Sequence, residues 1–353
     1  MRDHGYNPFV RDFTMTKALP LSISLATPVR RCGLIVLASG ALLSSATVAE
    51  ANSIPDPSFE KPAASSNWKR SDYASSLSKT VKRSGAQSLR LLNDGTGSTG
   101  TRRVHNVVQS SIPVAGVVRG KEYEFTVYVR GENVRGIGGG GKPLTVLRWR
   151  NASNGRLAGE LYNWAPYGTY NFTPMKLHFQ APAGAAKIDV GFRSWWDNLS
   201  GVTYWDDANL VPRVIPGRGS LLSTYQAETA NIRSGGRVSS VIGDYTGSGY
   251  YDVTSNGAVL EWNNVAGGGQ RVIAVRYSWE GASKPLEVFV NGVSQGRKTP
   301  VWTGHRGSYA TENWKVNLPA GSNRVRVRIE KASGGGAKIQ PLIDRLEVYS
   351  AAP

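Results

Sequence analysis

The chain is poor in the residues that most metal and covalent chemistry needs. Its 353 residues include one cysteine, four histidines and three methionines. One thiol cannot form an internal disulfide, and Cys32 lies in the N-terminal leader described below, so no disulfide framework or cysteine nucleophile is expected in the rest of the chain. His4, His105, His178 and His305 show no metal-ligand spacing, which argues against zinc. Carboxylates are also scarce, 25 against 42 Lys and Arg. No E-x-D-x-x-E sets two carboxylates on one strand face. Asp206 and Asp207 are adjacent on a strand and so point to opposite faces, which is not an acid/base pair. A lyase would need His or Tyr clustered with Arg and Gln, and no such cluster is visible. No segment after residue 52 has the periodicity of an amphipathic helix.

Glycine (41 residues), tryptophan (10) and tyrosine (15) are plentiful. Apolar residues alternate with polar ones in short runs. In KEYEFTVYVRGE, Tyr123, Phe125, Val127 and Val129 face one way, and Glu122, Glu124 and Arg130 face the other, towards solvent. AKIDVGFRSWW alternates through Ile188, Val190 and Phe192, and NRVRVRIEKA through Val325, Val327 and Ile329. Many such runs with turns between them predict an all-β chain of two antiparallel β-sandwiches in tandem.

Residues 1–51 read as a secretory leader. Arg30-Arg31 precedes the apolar stretch CGLIVLASGALLSSATV and the small residues around Ala51. The apolar run is too short and too rich in Gly, Ser and Thr to predict a membrane span in the mature chain. Cleavage near Ala51 implies a secreted, periplasmic or cell-surface protein, and leaves 37 basic against 22 acidic residues. An exported protein of that charge suits an anionic surface or polymer, the alternative being that the charge serves solubility alone. No nucleic-acid-binding motif is present, so nucleic acid is not the expected partner. A Pro/Gly/Ser stretch, VPRVIPGRGSLLST, divides the chain into blocks 52–213 and 225–353, with a linker at 214–224.

Two motifs mislead. Gly292-Val293-Ser294-Gln295-Gly296 is a literal G-x-S-x-G, but Asn291-Gly292 is a hairpin turn and VSQGRK continues as strand, so no helix follows Ser294. Gly136, Gly138 and Gly141 satisfy G-x-G-x-x-G, and Gly136 to Lys142 nearly satisfies the phosphate loop, but Pro143 stands where that loop has Ser/Thr, and LTVLRW continues as strand where both motifs need a helix.

Aromatic residues are the stronger signal. A sugar ring's axial C–H face packs on an aromatic plane while its hydroxyls seek polar partners. Trp149, Trp205 and Trp262 alternate with strand residues and are expected in the cores. Trp164, Trp195, Trp196, Trp302 and Tyr309 fall in turns or at strand ends and are ligand candidates. If Thr145, Leu147 and Trp149 face inward, then Arg148 and Arg150 face outward, and Arg193 with Trp195 projects on the alternate face of its own strand. Arg beside Trp suits uronic acids or sulfated sugars, because guanidinium pairs bidentately with a carboxylate.

The second block resembles carbohydrate-binding modules of families 6 and 35. The matching stretches are YQAETA (Tyr225–Ala230), SGYYDV (Ser248–Val253), VLEWNNV (Val259–Val265), VRYS (Val275–Ser278), VFVNGV (Val288–Val293), LPAGSNRVRV (Leu318–Val327) and LIDRLEV (Leu342–Val348). The resemblance implies a jelly roll that binds glycan through loops at one end, with Trp302, Tyr309 or Trp314 as the stacking ring and Tyr250 or Tyr251 opposite. It also implies a structural Ca2+ held by Gln226, Glu228 and Asp344. The first block is similar to modules of families 4 and 9 through PDPSFE (Pro55–Glu60), GAQSLRL (Gly85–Leu91), GKEYEFTVYVRGE (Gly120–Glu132) and TYWDDANL (Thr203–Leu210). That similarity implies a concave groove, with calcium near Glu60 and Asp206. The expectation is a monomeric, exported, non-catalytic protein with two polysaccharide-binding modules. The alternative is a jelly-roll lyase or glycoside hydrolase with one accessory module.

Overall fold

The computed structural model describes residues 52–62, 67–70, 75–94, 106–114, 117–136, 141–194, 199–279, 285–330 and 341–352. The alternating runs become strands. The first block contributes β1 (Lys69–Arg70), β2 (Ser75–Ser78), β3 (Ser88–Asp94), β4 (Asn106–Pro113), β5 (Glu122–Gly136), β6 (Pro143–Arg150), β7 (Arg156–Trp164), β8 (Gly168–Gln180), β9 (Lys187–Ser194) and β10 (Leu199–Pro212). They form two five-stranded sheets, ordered β1-β4-β9-β6-β7 and β2-β3-β10-β5-β8. Between these sheets lie Leu147, Trp149, Ile188, Val190 and Phe192 of one, and Tyr123, Phe125, Val127, Leu177 and Trp205 of the other. Period-two alternation puts every second side chain into this shared core.

The second block forms β11 (Arg218–Gln226), a 3-10 turn (Ala227–Thr229), β12 (Ile232–Ser234), β13 (Gly236–Ser239), β14 (Tyr250–Val253), β15 (Val259–Ser278), β16 (Leu286–Val290), β17 (Val293–Lys298), β18 (Ala310–Ile329) and β19 (Leu342–Ala351). All nine strands belong to one antiparallel sheet. β15 shifts register between Trp262 and Val265 and again between Gly267 and Gly269. Residues from both ends of β15, Leu260 and Trp262, then Ile273 and Val275, share one core. Bulges and glycines let a long strand bend so that a sheet closes over itself. The protein is therefore all-β, two antiparallel jelly-roll sandwiches in tandem. Among the described residues no helix is long and apolar enough to cross a membrane. The Asn291-Gly292 turn has φ of 49° and 88°, and Ser294 Oγ donates to Glu287 Oε1 at 2.6 Å, so the G-x-S-x-G is a β16–β17 hairpin. From Arg218 on, the stretch 214–224 is strand, paired with β19.

The junction between the sandwiches fixes what either can bind. β7 and β8 are edge strands of the first sandwich's two sheets, and edge N–H groups need acceptors. The second sandwich supplies them from one segment. Tyr162 N–H donates to Gly304 O at 2.9 Å, His178 N–H to Trp302 O at 3.0 Å, and Gln180 N–H to Tyr309 O at 2.7 Å. Beside this ladder sits Glu122, expected at the surface but only 7% exposed. Its carboxylate accepts from Arg213 Nη1 at 2.7 Å, Arg218 Nη1 at 2.9 Å and Thr311 Oγ1 at 2.7 Å. Arg218 also reaches Glu347 and Tyr349. Burial alone would push the Glu122 carboxyl up, but the charges of Arg213 and Arg218 and the Thr311 hydroxyl outweigh it and hold the carboxyl below its ordinary value of 4.5.

Removing one member of such a network strands the others. Glu122→Ala is expected to cost about 3–5 kcal/mol in urea denaturation. The sign with pH follows from the lowered folded value. The Glu122 contribution is complete above its ordinary value of 4.5 and is lost as pH falls through the folded value. Stability of the wild type should therefore fall more steeply than that of Glu122→Gln when urea melts are repeated at pH values decreasing from 4.5 towards the folded value.

Candidate functional site

One outward face carries most of the chemistry. On β6, Leu147 and Trp149 enter the core, so Leu144, Val146 and Arg148 lie on the other side of the sheet. Register then builds three rows across that outer face. Leu144 lies between Trp164 of β7 and Arg193 of β9, Val146 between Tyr162 and Gly191, and Arg148 between Glu160 and Asp189. Leu144 and Val146 are buried there, next to the partly exposed rings of Trp164 and Tyr162. The two ring centroids are 6.3 Å apart with planes 32° from parallel. Gly191 has no side chain, so the middle row is low and flanked by the aromatic and arginine positions. Tyr167, 42% exposed, extends the aromatic line and has Lys142 Nζ 4.8 Å from its ring centroid.

The charged groups of this face are internally paired. Glu160 accepts from Arg148 Nε and from the Tyr162 hydroxyl, with Arg193 Nη1 3.9 Å away. Burial would raise the Glu160 carboxyl, but the Tyr162 and Arg148 hydrogen bonds and the two guanidinium charges hold it below the usual carboxylate range. Burial, with the bond to Glu160, pushes the Tyr162 hydroxyl well up. Arg150 grips Asp189 through both oxygens, at 2.7 and 2.6 Å. Arg156, opposite Arg150 in register, lies on the same face, so four arginines stand against two carboxylates, and the paired side chains are set in place before any ligand arrives.

Of the sequence-derived site residues, Arg148, Arg150, Arg193 and Trp164 thus share one face. Trp195 and Trp196 lie outside the described residues. Tyr162 and Glu160 complete the cluster. The two-residue spacing of Tyr162 and Trp164 on a strand was the available signal for Tyr162, whereas Glu160 becomes visible only once β6 and β7 are in register.

The second sandwich needs correction. Tyr250, Tyr251, Tyr309 and Trp314 are at most 2% exposed and cannot present a ring to a sugar. Trp314 donates from Nε1 to Gly296 O at 3.0 Å, Tyr250 bonds Ser239 Oγ, and Tyr309 lies under the Arg276 guanidinium at 4.1 Å. Trp302 is half-buried but packs against the core of the first sandwich. The loop end expected to take glycan is therefore the end that covers the first sandwich's edge strands.

The calcium candidates divide. Asp344 is fully buried and accepts from Arg276 Nη1 at 2.8 Å, from Thr246 N–H at 2.8 Å and from Thr246 Oγ1 at 2.9 Å, with Arg345 Nη1 at 3.3 Å. Two guanidiniums already give it the charge a cation would, so it does not fit a calcium set. Gln226 Oε1 accepts from Thr246 Oγ1, and Glu228 Oε1 from Ser248 N–H at 2.7 Å, while Glu228 Oε2 is buried with no partner. In the first sandwich, Asp206 accepts three backbone N–H groups, from Arg83, Ser84 and Asp207, and burial pushes its carboxyl up to about 6. Glu60 accepts from Ala86 N–H at 2.9 Å. Both anchor the 83–86 turn, and the N–H groups on Asp206 compete with any cation there.

No protein-family model and no curated protein matches the chain. Among solved structures it is similar to a family 35 carbohydrate-binding module from Clostridium thermocellum, at 29% identity over 38% of this chain and 100% of the module, with a TM-score of 0.33. It is also similar to a carbohydrate-binding module of Cellvibrio mixtus lichenase 5A in complex with cellotriose, at 19% identity over 38% of this chain and 100% of that one, with a TM-score of 0.32. The tandem of two family 22 modules from Paenibacillus barcinonensis Xyn10C aligns at 14% identity over 83% of this chain and 96% of the tandem, with a TM-score of 0.33.

Because Trp302 sits in the junction, Trp302→Ala is expected to act on stability. A loss of up to about 3–5 kcal/mol in chemical denaturation should accompany unchanged retention on any polysaccharide that the folded protein binds.

Proposed function

We propose that the chain is a non-catalytic polysaccharide-binding protein whose ligand lies across the outer face of the β1-β4-β9-β6-β7 sheet. The observation that carries this reading is the pairing of two partly exposed rings, Tyr162 and Trp164, with an ordered Arg148–Glu160–Arg193 cluster on one face. The rings offer planes for sugar C–H faces, and the guanidinium groups offer fixed donors for hydroxyls and carboxylates. The excess of arginine over carboxylate favours uronic-acid-rich or sulfated chains. Glu160, held ionised below its ordinary value, is a poor general acid at neutral pH, which weighs against a hydrolase or lyase centred on it.

Isothermal titration with polygalacturonate, alginate and a neutral xylan tests this reading. Trp164→Ala should weaken binding by roughly 1–2 kcal/mol with the fold intact. Glu160→Gln frees two guanidiniums and should tighten binding to the acidic polymers with a steeper salt dependence. Equal or tighter binding of xylan at low salt would remove the acidic-sugar part, and no binding to any of the three would remove the whole.

Calcium is retained in the proposal for Gln226 and Glu228 only, where the orphaned Glu228 Oε2 adds a hard oxygen ligand beside the 246–248 turn. Bound there, the ion would order that turn. EDTA should then lower the melting temperature and added calcium restore it in the wild type but not in Glu228→Gln; an EDTA-insensitive melt discards the ion. Export rests on the leader before Ala51 and is checked by N-terminal sequencing of the extracellular protein.

A further inference from the structure

A cavity of about 360 Å3 lies between the two sandwiches, on the opposite side of β7 from the glycan face. Leu157 and Leu161 of β7 and Pro182 form its wall on the first sandwich, and Ile242 faces them from the second. Residues 160, 162 and 164 of the same strand carry the outer face, so strand alternation separates the two places physically. The volume is at the small end of the range for ligand pockets, about 300–1,000 Å3.

Four polar side chains converge on this apolar space. Trp149, 3% exposed, has a buried Nε1–H with no acceptor. Ser308, 8% exposed, has a buried Oγ with no partner. His305 accepts the Gly307 N–H at Nδ1 (2.9 Å), so its neutral ring carries hydrogen on Nε2 as a donor. Asp244 brings a carboxylate from the second sandwich, with Arg276 Nη2 at 3.6 Å and Arg119 Nη2 at 3.7 Å. Burial raises the Asp244 carboxyl and the two guanidiniums pull against it. Buried polar atoms left without partners cost about 1–3 kcal/mol each, and two in one cavity from different sandwiches point to an occupant.

We propose that this composite pocket binds a single neutral saccharide unit, either a free mono- or disaccharide or the terminal ring of a glycan chain. Such a ring offers C–H surface to Leu157, Leu161 and Ile242. Its hydroxyls can accept from the Trp149 indole and donate to Asp244, and can do either with Ser308. The Asp244 carboxylate disfavours an anionic ring, so the pocket and the outer face select different sugars. Neither sandwich alone builds the pocket, because its walls and polar groups come from both.

The test uses the full chain and saturation-transfer NMR with titration calorimetry. The probes are D-glucose, D-galactose, D-mannose, D-xylose, cellobiose and cellopentaose. At least one should bind the wild type. Ala183→Trp, at the exposed rim of the cavity, should abolish that binding, and Trp149→Phe and Ser308→Ala should each weaken it roughly five- to tenfold. Trp164→Ala, which disables the outer face, should leave it unchanged, so failure here is distinguishable from failure of the polysaccharide reading. Similar affinity for cellobiose and cellopentaose marks a chain-end ligand, and preference for a monosaccharide marks a free sugar. The proposal is overturned if none of the probes binds, if binding survives Ala183→Trp, or if Trp164→Ala removes it.

Discussion

Two edge strands of the first sandwich, β7 and β8, expose N–H groups that must be satisfied, and much of the molecule's organisation follows from how that is done. Left open, they would template pairing with another chain. Here the 302–309 segment of the second sandwich lays three carbonyls against them, and Trp302 packs against the first sandwich's core. Backbone bonds of this kind have fixed geometry. The Glu122–Arg213–Arg218–Thr311 cluster adds charges that are buried together with their partners, Arg218 reaching Glu347 as well. The residues that cap the edges also end the second sandwich's freedom to bind through that end by itself.

Legibility in the sequence followed the range of the interactions involved. Period-two alternation shows which side chains of a strand share a face, and it placed Tyr123, Phe125, Leu147 and Trp149 inward without any tertiary information. The same alternation put Arg148 and Arg193 outward, whereas Trp164 stood out by its place in a turn or at a strand end. The Asn291-Gly292 turn was readable because the left-handed backbone it needs suits those two residues. What alternation could not show was the neighbour across a gap. Glu122 read as solvated because its covering groups, Arg213, Arg218 and Thr311, come from the end of the first block, the linker and the second sandwich. Tyr309 and Trp314 read as rim residues because turn-like sequence around a ring does not reveal that another domain, or a hairpin, closes over it.

The arginines of the outer face raise a related point. Counted in sequence they are free cations. In the fold Arg148 and Arg150 are spent on Glu160 and Asp189, whose carboxyls lie on neighbouring strands of the same sheet. A guanidinium has five N–H donors, and one carboxylate uses at most two of them. Pairing therefore reduces the net charge while leaving donors fixed in direction. Such a face recognises by geometry more than by field strength, which suits a ligand rich in hydroxyls. Only the excess of arginine over carboxylate remains to favour an anionic one.

Rigid coupling also changes how two sites on one chain would cooperate. Modules on a flexible tether gain an effective concentration set by linker length, whatever the ligand's shape. Here most of the intervening stretch is strand bound to β19, and the junction is hydrogen-bonded from both sandwiches. The outer face and the inter-sandwich pocket are back to back across β7, so their separation is that of two faces of one strand. A polymer with its interior on the outer face could insert its own end into the pocket only by turning around that strand, which a stiff β-linked chain resists. The two places are therefore better suited to separate ligands, or to an interior segment of one chain and the terminus of another, than to a single extended polysaccharide.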